Sequence, residues 1–152
     1  MTNLQAAIGL AQVERLNELV ACRRENAALY NLLLADVPGI VRPPEAAHVK
    51  NVFWMYCVLV REEFGMSRDA LRRFLGGEGI ETRTFFIPIH LQPIYYGFFK
   101  GQRFPIAESL CKEGFYYPSS ASLTEDDIRF VAEMTRQAHR LSKRIEAAHV
   151  AI

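Results

Sequence analysis

The side chains with the widest chemical reach gather between Arg83 and Phe104. That segment, RTFFIPIHLQPIYYGFFKGQRF, sets a single histidine, His90, between Pro88 and Pro93 in apolar surroundings. An imidazole there can move a proton or hold a ligand, or it can serve as a structural hydrogen-bonder, and the residue types leave these roles open. Arg83 stands at the entrance of the segment. Its planar fork suits a phosphate gripped at two points, and suits a surface ion pair equally. Phe85, Phe86, Tyr95 and Tyr96 surround the same stretch. Aromatics beside a cation fit a nucleotide or a sugar, while the ten phenylalanines of the chain mostly furnish core.

Other chemistries lack their signatures. There is no glycine-rich phosphate loop, no HExxH, no CxxC pair and no G-x-S-x-G elbow. The three cysteines, Cys22, Cys57 and Cys111, are odd in number and unclustered, which reads as a reduced, zinc-free protein. Cys57 is expected as an inert core thiol in mid-strand, and Cys111 as a residue facing a helix interior. Lys50, Lys100, Lys112 and Lys143 are the lysines, none in a setting that depresses its pKa as a Schiff-base lysine requires.

The elements that must position these residues come from one domain's length of chain. With 152 residues, 50% of them apolar, the chain can bury a core without metal or disulfide staples. Its 18 basic and 17 acidic side chains leave a net charge of +1, so nucleic-acid binding lacks its main electrostatic driving force. The apolar run Val52 to Val60 is far shorter than the ~20 residues of a membrane-spanning helix. The opening Met1-Thr2-Asn3-Leu4-Gln5 has no features of a secretory signal, and a cytoplasmic setting is expected.

Thr2 and Gln5 form a capping-box pair, and apolar positions recur from Leu4 through Leu34 until Pro38-Gly39. The spacing predicts one helix of roughly 33 residues and ~50 Å, with a bend near Arg23 to Asn26. Such a helix outruns its own domain, so the apolar side of Leu4 to Val20 is expected to be incompletely covered. Val41-Arg42-Pro43-Pro44 reads as an extended linker. Asn51 to Val60 reads as a central strand covered on both faces, and Gly79 to Phe86 as a second strand. A short helix capped by Ser67 separates the two. After the long loop come a helix from Pro105 to Gly114, a brief strand Phe115 to Pro118 and a terminal helix. The terminal helix opens on a Thr124/Asp127 capping box and carries its apolar stripe on Ile128, Val131, Thr135, Ala138, Leu141 and Ile145.

Three stretches together resemble a known family. MTNLQAAIG at Met1 to Gly9 resembles the segment opening the long connecting helix of the DegT/DnrJ/EryC1/StrS family of pyridoxal-phosphate sugar aminotransferases. RTFFIPIHLQPIY at Arg83 to Tyr95 resembles the family's active-site loop, in the form found in perosamine synthase-like members. Tyr117-Pro118-Ser119-Ser120 with Leu123-Thr124-Glu125 matches the run into the last helix.

The resemblance implies an α+β fold, the C-terminal small domain of a fold-type-I aminotransferase. Residues 1–36 would be the connecting helix, 37–152 the small domain with its small sheet and terminal helix. It further implies that the large pyridoxal-phosphate domain, with its Schiff-base lysine, lies before Met1. Carried over by position, Arg83, Phe85, Phe86, His90 and Tyr95 would be this domain's contribution to the nucleotide-sugar pocket, with no catalytic and no metal-binding residue of its own. Glutamate would be the amino donor and a nucleotide-linked 4-keto-6-deoxy sugar the acceptor. The implied partners are a second copy in a homodimer or a separate large-domain polypeptide. Related dehydratases replace the lysine with histidine, so that choice lies outside this chain. Two other readings are a non-catalytic interaction module that holds a partner through the N-terminal helix, and a truncated relic.

Overall fold

Thr2 starts the first helix as its sequence requires. The Thr2 backbone N–H donates to Gln5 Oε1 at 2.8 Å and the Gln5 N–H donates back to Thr2 Oγ1 at 3.3 Å. In the computed structural model, which describes residues 1–150, this helix is α1, Asn3–Glu14, and α2 follows over Leu16–Leu33. The expected single helix is thus divided at Arg15, whose φ of −100° and ψ of 5° leave helical geometry. α2 runs unbroken through Arg23 to Asn26, where side-chain hydrogen bonds tie the helix to the rest of the domain. The Arg23 guanidinium donates to the carbonyls of Trp54 and Ser119 at 2.9 and 2.8 Å. Arg24 donates to Glu45 Oε1 and to the Asn51 carbonyl. No such anchor exists near Arg15, since α1 buries no residue at all.

Four short strands form one antiparallel sheet in the order β1-β2-β4-β3. They are β1, Ile40–Val41; β2, Tyr56–Val60; β3, Arg83–Thr84; and β4, Gly114–Tyr117. Val41 therefore belongs to a strand and not to the linker. Both longer strand expectations shrink. Before Tyr56 the backbone turns through Phe53, a buried non-glycine residue at φ 46°. That left-handed turn is closed by the Phe53 N–H donating to Asn51 Oδ1 at 2.8 Å. β2 is also not covered alike on both sides: Tyr56, Val58 and Val60 are buried, while Cys57 and Leu59 are half-buried. β3 keeps two residues because only Arg83 and Thr84 find partners, Tyr116 and Phe115, on β4.

The inner sheet face carries the core. Tyr56, Val58, Phe115 and Tyr117 pack with Ala27, Tyr30 and Leu34 from the helical N-terminal region and with Leu71 and Leu75 of α3, Arg68–Gly77. Ile128, Val131, Ala132 and Ala138 of α5, Glu125–Val150, close the layer. Tyr30 stacks on Tyr56 at 4.6 Å and on Tyr117 at 5.7 Å. Their hydroxyls are satisfied by the Pro118 carbonyl, Asn31 Oδ1 and Thr135 Oγ1, as buried phenols require. Burial pushes all three phenols above their ordinary pKa. α5 begins on the expected box: the Thr124 N–H donates to Asp127 Oδ2 at 2.9 Å and the Asp127 N–H to Thr124 Oγ1 at 3.2 Å.

The outer face is covered at one end. α4, Pro105–Glu113, buries no residue completely and runs directly into β4. Cys111 is half-buried. Arg68 ties α4 to α3, donating from Nη1 to the carbonyls of Cys111 and Gly114 at 3.0 and 2.9 Å.

Candidate functional site

Strand alternation sets Arg83 and Phe85 on the outer face of the sheet, beyond which the chain enters the long loop to Phe104. Phe85 is fixed from both ends. Its N–H donates to the Gly114 carbonyl at 3.3 Å, and its ring lies over the glycine. A Cβ at Gly114 would come 2.4 Å from Phe85 Cδ2 and 2.5 Å from the Leu110 carbonyl oxygen. Only a residue without a side chain leaves room for that ring between the sheet and the last turn of α4.

The loop is not random chain. A 3-10 turn spans Ile89–Leu91, and His90 at its centre is 7% exposed. The imidazole packs on the Phe104 ring with centroids 4.7 Å apart, and its Nε2 lies 3.2 Å from Glu108 Oε1. The same oxygen accepts the Phe104 backbone N–H at 2.9 Å, and Arg103 approaches the other carboxylate oxygen at 3.6 Å. The Phe104 N–H, the His90 hydrogen bond and the nearby Arg103 guanidinium hold the Glu108 carboxyl below its ordinary pKa. An ionised carboxylate only accepts, so Nε2 of His90 is the donor in this contact. His90 thus pins the middle of the loop to the first turn of α4, where the helix dipole also favours Glu108.

The remaining predicted residues point to solvent. Arg83 is exposed, and Glu81 Oε1 accepts from its Nη2 at 3.0 Å and from its Nε at 3.3 Å. Phe86 is 75% exposed and Tyr95 43% exposed. Ile87, Ile89, Ile94 and Phe98 are exposed apolar side chains on the same anchored loop. The structure therefore places Arg83 and Phe85 on one sheet face, leaves Phe86 and Tyr95 open to a ligand or partner, and buries only His90. Glu108, Phe104 and Gly114 complete the arrangement and were missed from the sequence. The run Phe104-Pro105-x-x-Glu108, a helix start with an acid in its first turn, was the available signal.

Nothing in this arrangement completes a metal or Schiff-base centre. Among the described residues no three histidine, cysteine or acidic side chains group as metal ligands. Lys50, Lys100, Lys112 and Lys143 are all exposed, whereas a Schiff-base lysine needs a desolvated setting. The residues present do not fit the covalent half of a pyridoxal-phosphate site. Burial pushes the Cys57 thiol above its ordinary pKa, which leaves it a poor nucleophile. No helix among the described residues is long and apolar enough to cross a membrane.

An anchored aromatic loop on a small antiparallel sheet, with long helices on the inner face, makes this an α+β domain. The model of the DegT/DnrJ/EryC1/StrS aminotransferase family matches residues 1–136, and the chain belongs to that family. It is 40% identical over 129 residues to the GDP-perosamine synthase of Caulobacter vibrioides, covering 84% of this chain and 34% of that protein. To the GDP-perosamine synthase of Vibrio cholerae it is 35% identical, covering 85% of this chain and 35% of that one. Among solved structures, S. venezuelae DesV in complex with a ketimine intermediate superposes with a TM-score of 0.81 at 29% identity, over 89% of this chain and 36% of that one. DesI in the presence of its TDP-sugar product gives 0.80 at 30% identity, over 95% of this chain and 37% of that one. The chain spans about a third of the length of the curated relatives it matches.

Proposed function

We propose that this chain forms the nucleotide-sugar-facing wall of a pyridoxal-phosphate-dependent aminotransferase. In this reading the enzyme moves an amino group from glutamate to a nucleotide-linked 4-keto-6-deoxy sugar. The observation that carries the reading is the loop: the segment that resembles the family's active-site loop is anchored at Phe85 and His90 and presents Arg83, Phe86 and Tyr95 outward. Its setting in a chain similar to GDP-perosamine synthases supports the substrate class.

The division of labour follows from the residues. Arg83 offers a planar, permanently charged donor pair to the diphosphate, exchanging its exposed and therefore weak contact with Glu81 for one with substrate. Phe86 and Tyr95 give flat apolar surface to the sugar or base and exclude water from it. His90 acts at one remove, holding the loop on α4. Proton and amino-group chemistry belong to the cofactor and its lysine, which lie outside this chain. The chain alone is then inactive and works in the cytoplasm with a large-domain polypeptide or in a homodimer of the complete enzyme.

Assay of amino transfer in a two-piece enzyme tests this, with the chain supplied beside a polypeptide carrying the remainder of a perosamine synthase. Arg83→Ala and His90→Ala should each lower sugar turnover while the circular dichroism of the chain stays native. Unchanged turnover in both variants removes the assignment.

The uncovered N-terminal helix gives one specific reason to keep an interaction module as a second reading. Leu4, Ile8, Leu10 and Val13 of α1 are all exposed, on a helix that buries nothing. Copurification separates the two: a large-domain polypeptide supports the enzyme, an unrelated protein supports the module.

A further inference from the structure

We propose that Tyr116 is a second substrate contact, completing with Arg83 a two-point grip on the diphosphate of a nucleotide sugar. The proposal rests on the functional reading above and adds to it a residue that neither the loop nor its sequence contains. β4 alternates, with Phe115 and Tyr117 buried in the core and Tyr116 turned to the outer face. Tyr116 is the register partner of Arg83 on one side and of Cys57 on the other. Directly paired residues project from the same face with Cβ atoms ~5 Å apart. The row Arg83, Tyr116, Cys57 therefore crosses the sheet as one strip. It lies two residues along β4 from Gly114, where Phe85 and the end of α4 cover the sheet, so the strip begins where that cover stops.

The hydroxyl of Tyr116 distinguishes it from its neighbours. Tyr30, Tyr56 and Tyr117 each bond their hydroxyl to a named oxygen. Tyr116 is half-buried, and its hydroxyl has no partner among the described residues. A phenol on the strand position paired with Arg83 supplies a neutral donor where the arginine supplies the charge. Two phosphoryl groups of a diphosphate, or two oxygens of one, can take these donors together. Glu81 is the built-in competitor, since its carboxylate now occupies the Arg83 fork.

Calorimetric titration of the full chain with guanosine diphosphate, and with guanosine as the phosphate-free control, tests the grip. Tyr116→Phe keeps the ring and removes only the hydroxyl. It should weaken guanosine diphosphate binding about three- to tenfold, the range of one hydrogen bond to a charged group, and leave guanosine unaffected. Arg83→Gln should weaken it by about tenfold or more, and Glu81→Gln should strengthen it by releasing the fork. Y116F binding as wild type while R83Q binds weakly overturns the role of Tyr116 and leaves the functional reading standing. Wild-type affinity in both variants, or no binding by the wild-type chain, overturns the two-point grip, whereas the functional reading is overturned by unchanged turnover in the two-piece enzyme. Equal weakening of guanosine by Y116F also overturns the proposal, because it assigns the hydroxyl to the base.

Discussion

Replacing Gly114 by alanine strikes the point where the sheet, α4 and the loop meet. The backbone there is ordinary extended chain, φ −89° and ψ 141°, so the substitution brings no conformational strain of its own. Its cost is spatial. The new methyl would meet Phe85 Cδ2 at 2.4 Å and the Leu110 carbonyl oxygen at 2.5 Å, both inside any real contact distance. The carbonyl cannot retreat freely, because Arg68 holds the neighbouring carbonyls of Cys111 and Gly114. The Phe85 ring must therefore leave its seat. Overpacking of this kind costs about 1–3 kcal/mol, which in a chain of this size lowers Tm by roughly 2–4 °C per kcal/mol. Gly97→Ala is the control, since a Cβ there meets nothing within 4 Å and should change stability by less than about 0.5 kcal/mol. Urea denaturation of both variants gives the comparison at unchanged m. Phe85→Ala in the Gly114→Ala background should restore part of the loss, as expected for two residues in contact. A Gly114→Ala chain as stable as Gly97→Ala refutes the claim that Gly114 seats the loop.

The loop should also loosen in acid. Glu108 sits below its ordinary pKa when folded, so its contribution is complete above the unfolded carboxylate pKa of ~4.3 and is lost as pH falls through the lower folded value. Amide exchange across residues 88–104 should accelerate in that window, and Glu108→Gln should flatten the dependence; an identical profile in both proteins contradicts the latch. Leu4→Ser, Ile8→Ser and Val13→Ser, on a helix that buries nothing, should each alter unfolding free energy by less than about 0.5 kcal/mol. Combined, they should reduce concentration-dependent association in sedimentation velocity, and a wild-type chain monomeric at every concentration argues against an apolar docking surface. Thr124→Ala removes the α5 cap and should cost about 1 kcal/mol in urea denaturation; no loss would mean that Asp127 alone caps the helix.

Local signals were legible wherever the decisive contact lies a few residues away. The Thr2/Gln5 and Thr124/Asp127 boxes, the Ser67 cap and the Pro105 helix start all form as their spacing requires. Pattern alone failed where a distant partner decides. The helix is tied at Arg23 and Arg24, where Trp54, Ser119 and Asn51 accept from them, and it divides at Arg15, beside an α1 that fully buries no residue. The strand beginning at Asn51 was cut short by a left-handed Phe53 that no propensity favours. In the candidate site, His90 and Arg83 stood out by type, but the partner that fixes His90 lies 18 residues away on α4. Gly114 looked like a helix stop, and its close approach to Phe85 emerges only in three dimensions. The family resemblance supplied what spacing could not, and the family match over residues 1–136 bears it out.

Contact between a nucleotide sugar and the Arg83 to Phe104 loop with its adjoining sheet face can be observed residue by residue. Nitrogen-15 amide spectra of the full chain, recorded while GDP-mannose is added, report it. Saturable shifts are expected at residues 81–98 and around Tyr116 alone, with α1 and the second half of α5 unmoved. Shifts centred elsewhere, or none at millimolar ligand, would contradict that contact.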